Sequence, residues 1–120
     1  MSSNLAKIDF NQGLRHCDGQ QELYRQVLNC YLDQFSGLLN NELLLNDVEN
    51  ARLQLHTLKS LSATIGASGL SHRAAQLFKD WQQHNRQQRE EAIRQVNAHL
   101  KMVNEKIENY CNESVVNDSN

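Results

Sequence analysis

The chain contains no proline, so nothing in it forces a break within a long helix. Long apolar runs are missing too. No stretch approaches the roughly 20 residues a membrane span needs, and no signal-peptide pattern opens the sequence. A basic excess is absent: 12 Lys and Arg against 14 Asp and Glu leave a formal net charge of −2, without the electrostatic footprint of a nucleic-acid binder. The three cysteines, Cys17, Cys30 and Cys111, are odd in number and form no Cys-x-x-Cys pair. That points to a reducing, cytoplasmic setting with the thiols acting as small apolar fillers. Strand-like alternation, internal repeats and a phosphate-cradling glycine loop of the G-x-x-x-x-G-K-[ST] type are also absent.

What remains is helical throughout. With 120 residues, 39% hydrophobic and 22% charged, the composition suits one domain, 1–120, with a real core. Asp9 with Gln12 predicts a short capped helix ending near Arg15, and Asp18 with Gln21 repeats the signal. Behind it Tyr24, Leu28, Tyr31, Phe35 and Leu38 recur at spacings of four, three, four and three. Gly37 either ends this helix or loosens it, since leucines continue to Leu45. Asn46 with Glu49 predicts the start of a third long helix with an inward stripe of Val48, Ala51, Leu55, Leu58, Ser62 and Ile65, and Gly66 as its stop. A fourth offers Leu70, Ala74, Leu77 and Trp81 and fades between Gln82 and Gln88. The last carries Ile93, Val96, Leu100, Val103, Ile107 and Tyr110 without a slip, ahead of a polar tail from Asn112 to Asn120. The expected fold is therefore all-α: an antiparallel up-down four-helix bundle, core about 8–111, with the short N-terminal helix across one end.

Chemistry concentrates on the third long helix. At about 100° per residue, His56 lies roughly 130° from the centre of the inward stripe, on the solvent side. Glu49, Arg52, Leu53, Lys59, Ser60 and Ala63 share that side. Lys59 and Ser60 stand three and four residues after His56, so both are its neighbours and lean back toward the ring. A nucleophilic nitrogen beside a fixed cation suits a group that briefly carries a phosphoryl. Arg52 adds a second cation, Leu53 an outward leucine, and Ser60 and Ala63 a flat surface that another protein can approach. His72, His84 and His99 read as ordinary surface or boundary residues.

At these residues the sequence resembles the histidine-containing phosphotransfer (HPt) domains of bacterial two-component phosphorelays. The family pattern is His-x-x-Lys-Gly, a later glycine, then Leu and a Leu-Glu pair in the next helix. This chain has His56-Thr57-Leu58-Lys59-Ser60, Gly66-Ala67, Leu70 and Leu77-Phe78. The run Ile8-Asp9-Phe10 through Gly13-Leu14, then Leu23-Tyr24 and Leu28 ahead of Phe35, is similar to HPt domains joined to hybrid sensor kinases, so the resemblance spans residues 8–110. Two departures stand out: Ser60 replaces the usual Gly, and Phe78 stands where Glu is common.

The resemblance implies that His56 is the phosphoacceptor, taking a phosphoryl group from a receiver-domain aspartate and passing it to a response-regulator receiver. Lys59 would stabilise the phosphate, with Ser60 as support, and Arg52, Leu53 and Ala63 would meet the partner. Attack needs a neutral ring nitrogen on the imidazole. The domain would bind no cofactor or metal of its own, Mg²⁺ being expected on the receiver, and would have no kinase activity. It would be monomeric, in the cytoplasm or the cytoplasmic part of a membrane-anchored sensor kinase, and would contact neither membrane nor nucleic acid. Two rivals stand beside this reading. A metal-binding bundle would use Glu-x-x-His pairs, and none occurs. A helical adaptor would bind a partner through the same face without carrying phosphate.

Overall fold

A computed structural model describes the backbone of residues 7–118 and the side chains of residues 7–113. Every regular element among the described residues is a helix, and there is no strand. Six α-helices follow in order: α1 (Phe10–His16), α2 (Gln21–Phe35), α3 (Asn41–Asn46), α4 (Val48–Ile65), α5 (Ser68–Asp80) and α6 (Arg86–Asp118), with one 3-10 turn, Trp81–Gln83, between the last two. The long helices α2, α4, α5 and α6 form the expected bundle. At about 1.5 Å per residue, the 33 residues of α6 account for its 52 Å length.

Periodicity set the core faces. Tyr24, Leu28, Tyr31 and Phe35 of α2, Ala51, Leu55, Leu58, Ser62 and Ile65 of α4, and Leu70, Ala74 and Leu77 of α5 are buried, as is Trp81 in the 3-10 turn. The α6 stripe is buried from Ile93 to Ile107, with Tyr110 half-buried, stacked on Phe10 and edge-on to Tyr24. Among the described residues no helix is long and apolar enough to cross a membrane.

The helix starts show where local signals mislead. Asp9 caps α1 as expected, accepting from the Gln12 amide at 3.0 Å. Asp18 caps nothing; it and Gly19 take left-handed φ angles of 56° and 72°, conformations that Asp and Gly tolerate and that turn the chain into α2. Asn46 ends α3, and the cap of α4 is its neighbour Asp47, whose carboxylate accepts from the Asn50 amide at 3.1 Å. Val48 then opens α4 before the helix meets its neighbours, so it is 47% exposed instead of buried. Asn85 and Gln88 close a reciprocal capping box at 2.8 Å each way, starting α6 inside the stretch read as fading. With no glycine or proline behind it, α6 then runs through residues 112–118 of the expected tail; residues 119–120 lie outside the described part.

The largest departure lies between Phe35 and Asn41, where α2 stops and α3 intervenes. The break falls at Leu38, with φ of 66°, and not at Gly37. Asn97 of α6 holds the strained residue's neighbour: its side chain accepts from the Leu39 amide at 2.8 Å and donates to the Leu39 carbonyl at 3.1 Å. Buried Asn104 donates to the Phe35 carbonyl at 3.0 Å. Tertiary bonds thus replace the helical ones lost at the break.

The opposite end is built around the α4 C-terminus. Gly66 is the left-handed cap, φ 98°, as expected. The carbonyls that a helix end leaves unpaired all find donors. Ala67 N–H reaches Ser62, Gly66 N–H reaches Ala63, the His16 ring reaches Thr64, Tyr24 O–H reaches Ile65 at 2.8 Å, and Asp9 N–H reaches Gly66 at 2.9 Å. A Cβ on Gly13 would collide with the Ile65 carbonyl and the Tyr24 ring, and one on Gly66 with the Asp9 backbone. Bare backbone at both positions lets α1 lie across this end of the bundle.

Two composition-based expectations need correcting. His99 is buried at 6% exposure, because it sits three residues after Val96 and four before Val103, on the flank of the core stripe. Of the cysteines, only Cys17 fills the core; Cys111 is half-buried, its thiol pushed up in pKa by burial, and Cys30 is exposed.

Candidate functional site

Opposite its core stripe, α4 presents Arg52, Leu53, His56, Lys59, Ser60 and Ala63, all exposed. The contrast between Leu53, 63% exposed, and Leu55, fully buried, fixes the helix phase. His56 sits in the middle of α4, one turn after Arg52 and just under one turn before Lys59, so a cation flanks the imidazole on each side along the helix axis.

Helix α5 runs back along α4 after the tight Gly66–Ala67 connection, and this pair makes the most extensive packing in the molecule. Small buried residues, Ala67, Ser71 and Ala74, let the two backbones approach. Ser71 donates its hydroxyl to the Lys59 carbonyl at 2.8 Å, fixing α5 against the backbone of the site. Further along α5, Phe78 is half-buried beside His56. The two ring centroids are 6.1 Å apart and tilted by 50°. The same phenyl carries the Arg52 guanidinium on its face, Cζ standing 5.4 Å from the centroid. The position read as a departure from the family pattern is thus a neighbour of the imidazole, an apolar and aromatic one. Ser60 is exposed, and its carbonyl accepts from Thr64 Oγ1 at 3.0 Å.

The remaining histidines stand elsewhere. His16 is engaged by the Thr64 carbonyl at the bundle end, His99 is buried, and His72 and His84 line a shallow cavity of about 430 Å³ between α5 and α6. Among the described residues no three His, Cys, Asp or Glu side chains converge as a metal site would require. Sequence reasoning missed Ser71 and the contact role of Phe78, because both depend on the register of α5 against α4.

In chemical terms the site is an exposed imidazole with a cation on either side along a helical surface, and with Leu53 offered to solvent. Such a surface suits reaction with a group presented on another surface. No curated protein and no solved structure matches the chain. The sequence pattern of the Hpt domain, however, matches residues 21–110, from the start of α2 to Tyr110 near the end of the α6 core stripe, leaving α1 outside the match. The chain therefore belongs to the Hpt domain family.

Proposed function

We propose that this protein relays phosphoryl groups through His56. Hpt domains are histidine phosphotransfer modules of phosphorelays; they have no kinase activity of their own and work with receiver domains. For this chain, the observation that carries the assignment is the exposed His56 with Arg52 and Lys59 on either side, on the α4 face that also shows Leu53. No other histidine among the described residues combines exposure with a cation on each side along one helix face.

A receiver domain of a hybrid kinase brings its aspartyl phosphate to this face, and a neutral ring nitrogen of His56 attacks phosphorus. The P–O bond to the aspartate breaks as the P–N bond forms, the aspartate leaves as carboxylate, and the ring then sheds its proton to solvent. Lys59 and Arg52 compensate the charge of the phosphorylated imidazole, Ser60 and Ala63 leave room for in-line approach, and Leu53 anchors the partner. Charge neutralisation by Mg²⁺ belongs to the receiver. The reverse sequence delivers the group to a response-regulator receiver.

Incubation with receiver domains charged by acetyl phosphate tests this. The wild-type chain should acquire acid-labile, base-stable phosphate on His56, and His56→Gln should acquire none while keeping its helical CD signal and melting temperature, as expected for an exposed position. Uptake by His56→Gln, with label on His72 or His84, would refute the assignment. No uptake by the wild type from any receiver would leave a helical adaptor as the better reading.

A further inference from the structure

We propose that Phe78 is a positioning residue for phosphotransfer, an aromatic platform on α5 that holds the Arg52 guanidinium beside the His56 imidazole. The proposal rests on His56 being the acceptor. Its ground is a mismatch between what α4 does by itself and where Arg52 is found. Side chains on a helix lean toward its N-terminus. Lys59, after His56, therefore leans toward the ring, but Arg52, one turn before it, leans away. Nothing on α4 brings Arg52 back. The phenyl face of Phe78 does: it sits 5.4 Å from the Arg52 Cζ and its centroid is 6.1 Å from that of His56, so both groups converge on one ring contributed by the neighbouring helix.

The phenyl suits the task for two reasons. The electron-rich face attracts a guanidinium without neutralising it, leaving the full charge for an arriving phosphoryl oxygen; a carboxylate at the same position would pair with Arg52 and repel the phosphoryl group. The ring is also anchored, since Phe78 packs against the bundle core, while α5 is tied to α4 through Ser71 and the Lys59 carbonyl. Arg52 is thus preplaced before phosphate arrives, and less side-chain freedom is lost when the charge-assisted contact forms.

The test uses potassium phosphoramidate to phosphorylate the whole chain, then follows the half-life of phosphohistidine at His56 after the donor is removed. A cation–π contact at an exposed site shifts an equilibrium by about two- to fivefold, so Phe78→Leu, which keeps an apolar side chain, should shorten the half-life by that factor, and Arg52→Ala by at least as much. The double variant should be no worse than Arg52→Ala alone, because Phe78 acts through Arg52. Phe78→Tyr should restore the wild-type half-life. In the unphosphorylated protein, Phe78→Leu should also shift the His56 ring-proton resonances as the ring current is lost. Multiplicative effects in the double variant, a normal half-life in Phe78→Leu, or failure of Phe78→Tyr to rescue would each overturn the proposal. Labelling of His56→Gln by a charged receiver would instead sink the acceptor assignment, so the two failures are distinguishable.

Discussion

Around His56 each side chain has a separable task. Lys59 stands three residues after His56 on the same exposed face of α4, whereas Arg52 lies over the Phe78 ring of α5. Both cations are exposed, so solvent and salt weaken what they contribute. A charge-assisted hydrogen bond to phosphate is worth about 1.5–3 kcal/mol, and exposure favours the lower end. Lys59→Ala should therefore slow transfer from a charged receiver and shorten the phosphohistidine lifetime by roughly tenfold at low salt, with a smaller deficit in 0.5 M salt or above. Single-turnover transfer and acid-quench decay measure both. An unchanged rate and lifetime at low salt would reduce Lys59 to a solubilising charge.

At the scale of the element, α4 divides the molecule's two requirements between two faces. Ala51, Leu55, Leu58, Ser62 and Ile65 hold the bundle, and Arg52, Leu53, His56, Lys59, Ser60 and Ala63 meet the outside. Leu53 is apolar where burial within the chain cannot explain it, and small transient interfaces rely on a few such anchors. Leu53→Asp should weaken receiver binding by at least about tenfold with little change in melting temperature, since the carboxylate stays solvated until the partner covers it. Leu55→Asp places the same group in the core without a partner, a cost of several kcal/mol that a domain of ordinary stability, about 5–15 kcal/mol, barely survives. Titration calorimetry and thermal melts separate the two. The reverse pattern, unfolding by Leu53→Asp and tolerance of Leu55→Asp, would mean that the helix phase is wrong and His56 points inward.

For the whole molecule, two phenols tie stability to alkaline pH. Tyr24 and Tyr31 are fully buried. Burial drives the pKa of each upward from the ordinary 10.0; the Tyr110, Cys17, Cys111 and Asp9 groups add to the effect at Tyr24, and Ser62 opposes it at Tyr31. A raised folded-state pKa means that the folded chain keeps its protons where the unfolded chain loses them. The stability is therefore fully present below about pH 10 and falls as pH climbs further, by up to about 1.4 kcal/mol per pH unit for each group. Urea midpoints between pH 8 and 11 should show this decline. Tyr31→Phe should flatten it, whereas Tyr24→Phe should also lose about 1–3 kcal/mol at pH 8, because the Ile65 carbonyl loses its donor. A flat profile, or a slope untouched by Tyr31→Phe, would count against buried phenols as its origin.

The helices and their phases were legible in local spacing alone. Spacings of three and four residues are set by the geometry of one helix, so they located the core faces of α2, α4, α5 and α6, turned Leu53 and His56 outward, and placed Lys59 beside the imidazole before any packing was known. Asp9 and Gly66 were legible for the same reason, since caps act within one turn. The features that local spacing did not show rest on residues far apart in the chain. Leu38 accepts a left-handed backbone because its neighbour Leu39 is bound by Asn97, 58 positions on from Leu39. Tyr24 caps a carbonyl 41 positions on, His99 is buried on the flank of a stripe, and Ser71 and Phe78 meet Lys59 and His56 only through the register of α5 on α4. Periodicity reports which side of a helix is apolar and says nothing of the rotation and slide of one helix against the next. Those are fixed when whole faces interdigitate, and with them the contacts of Phe78 with Arg52 and His56.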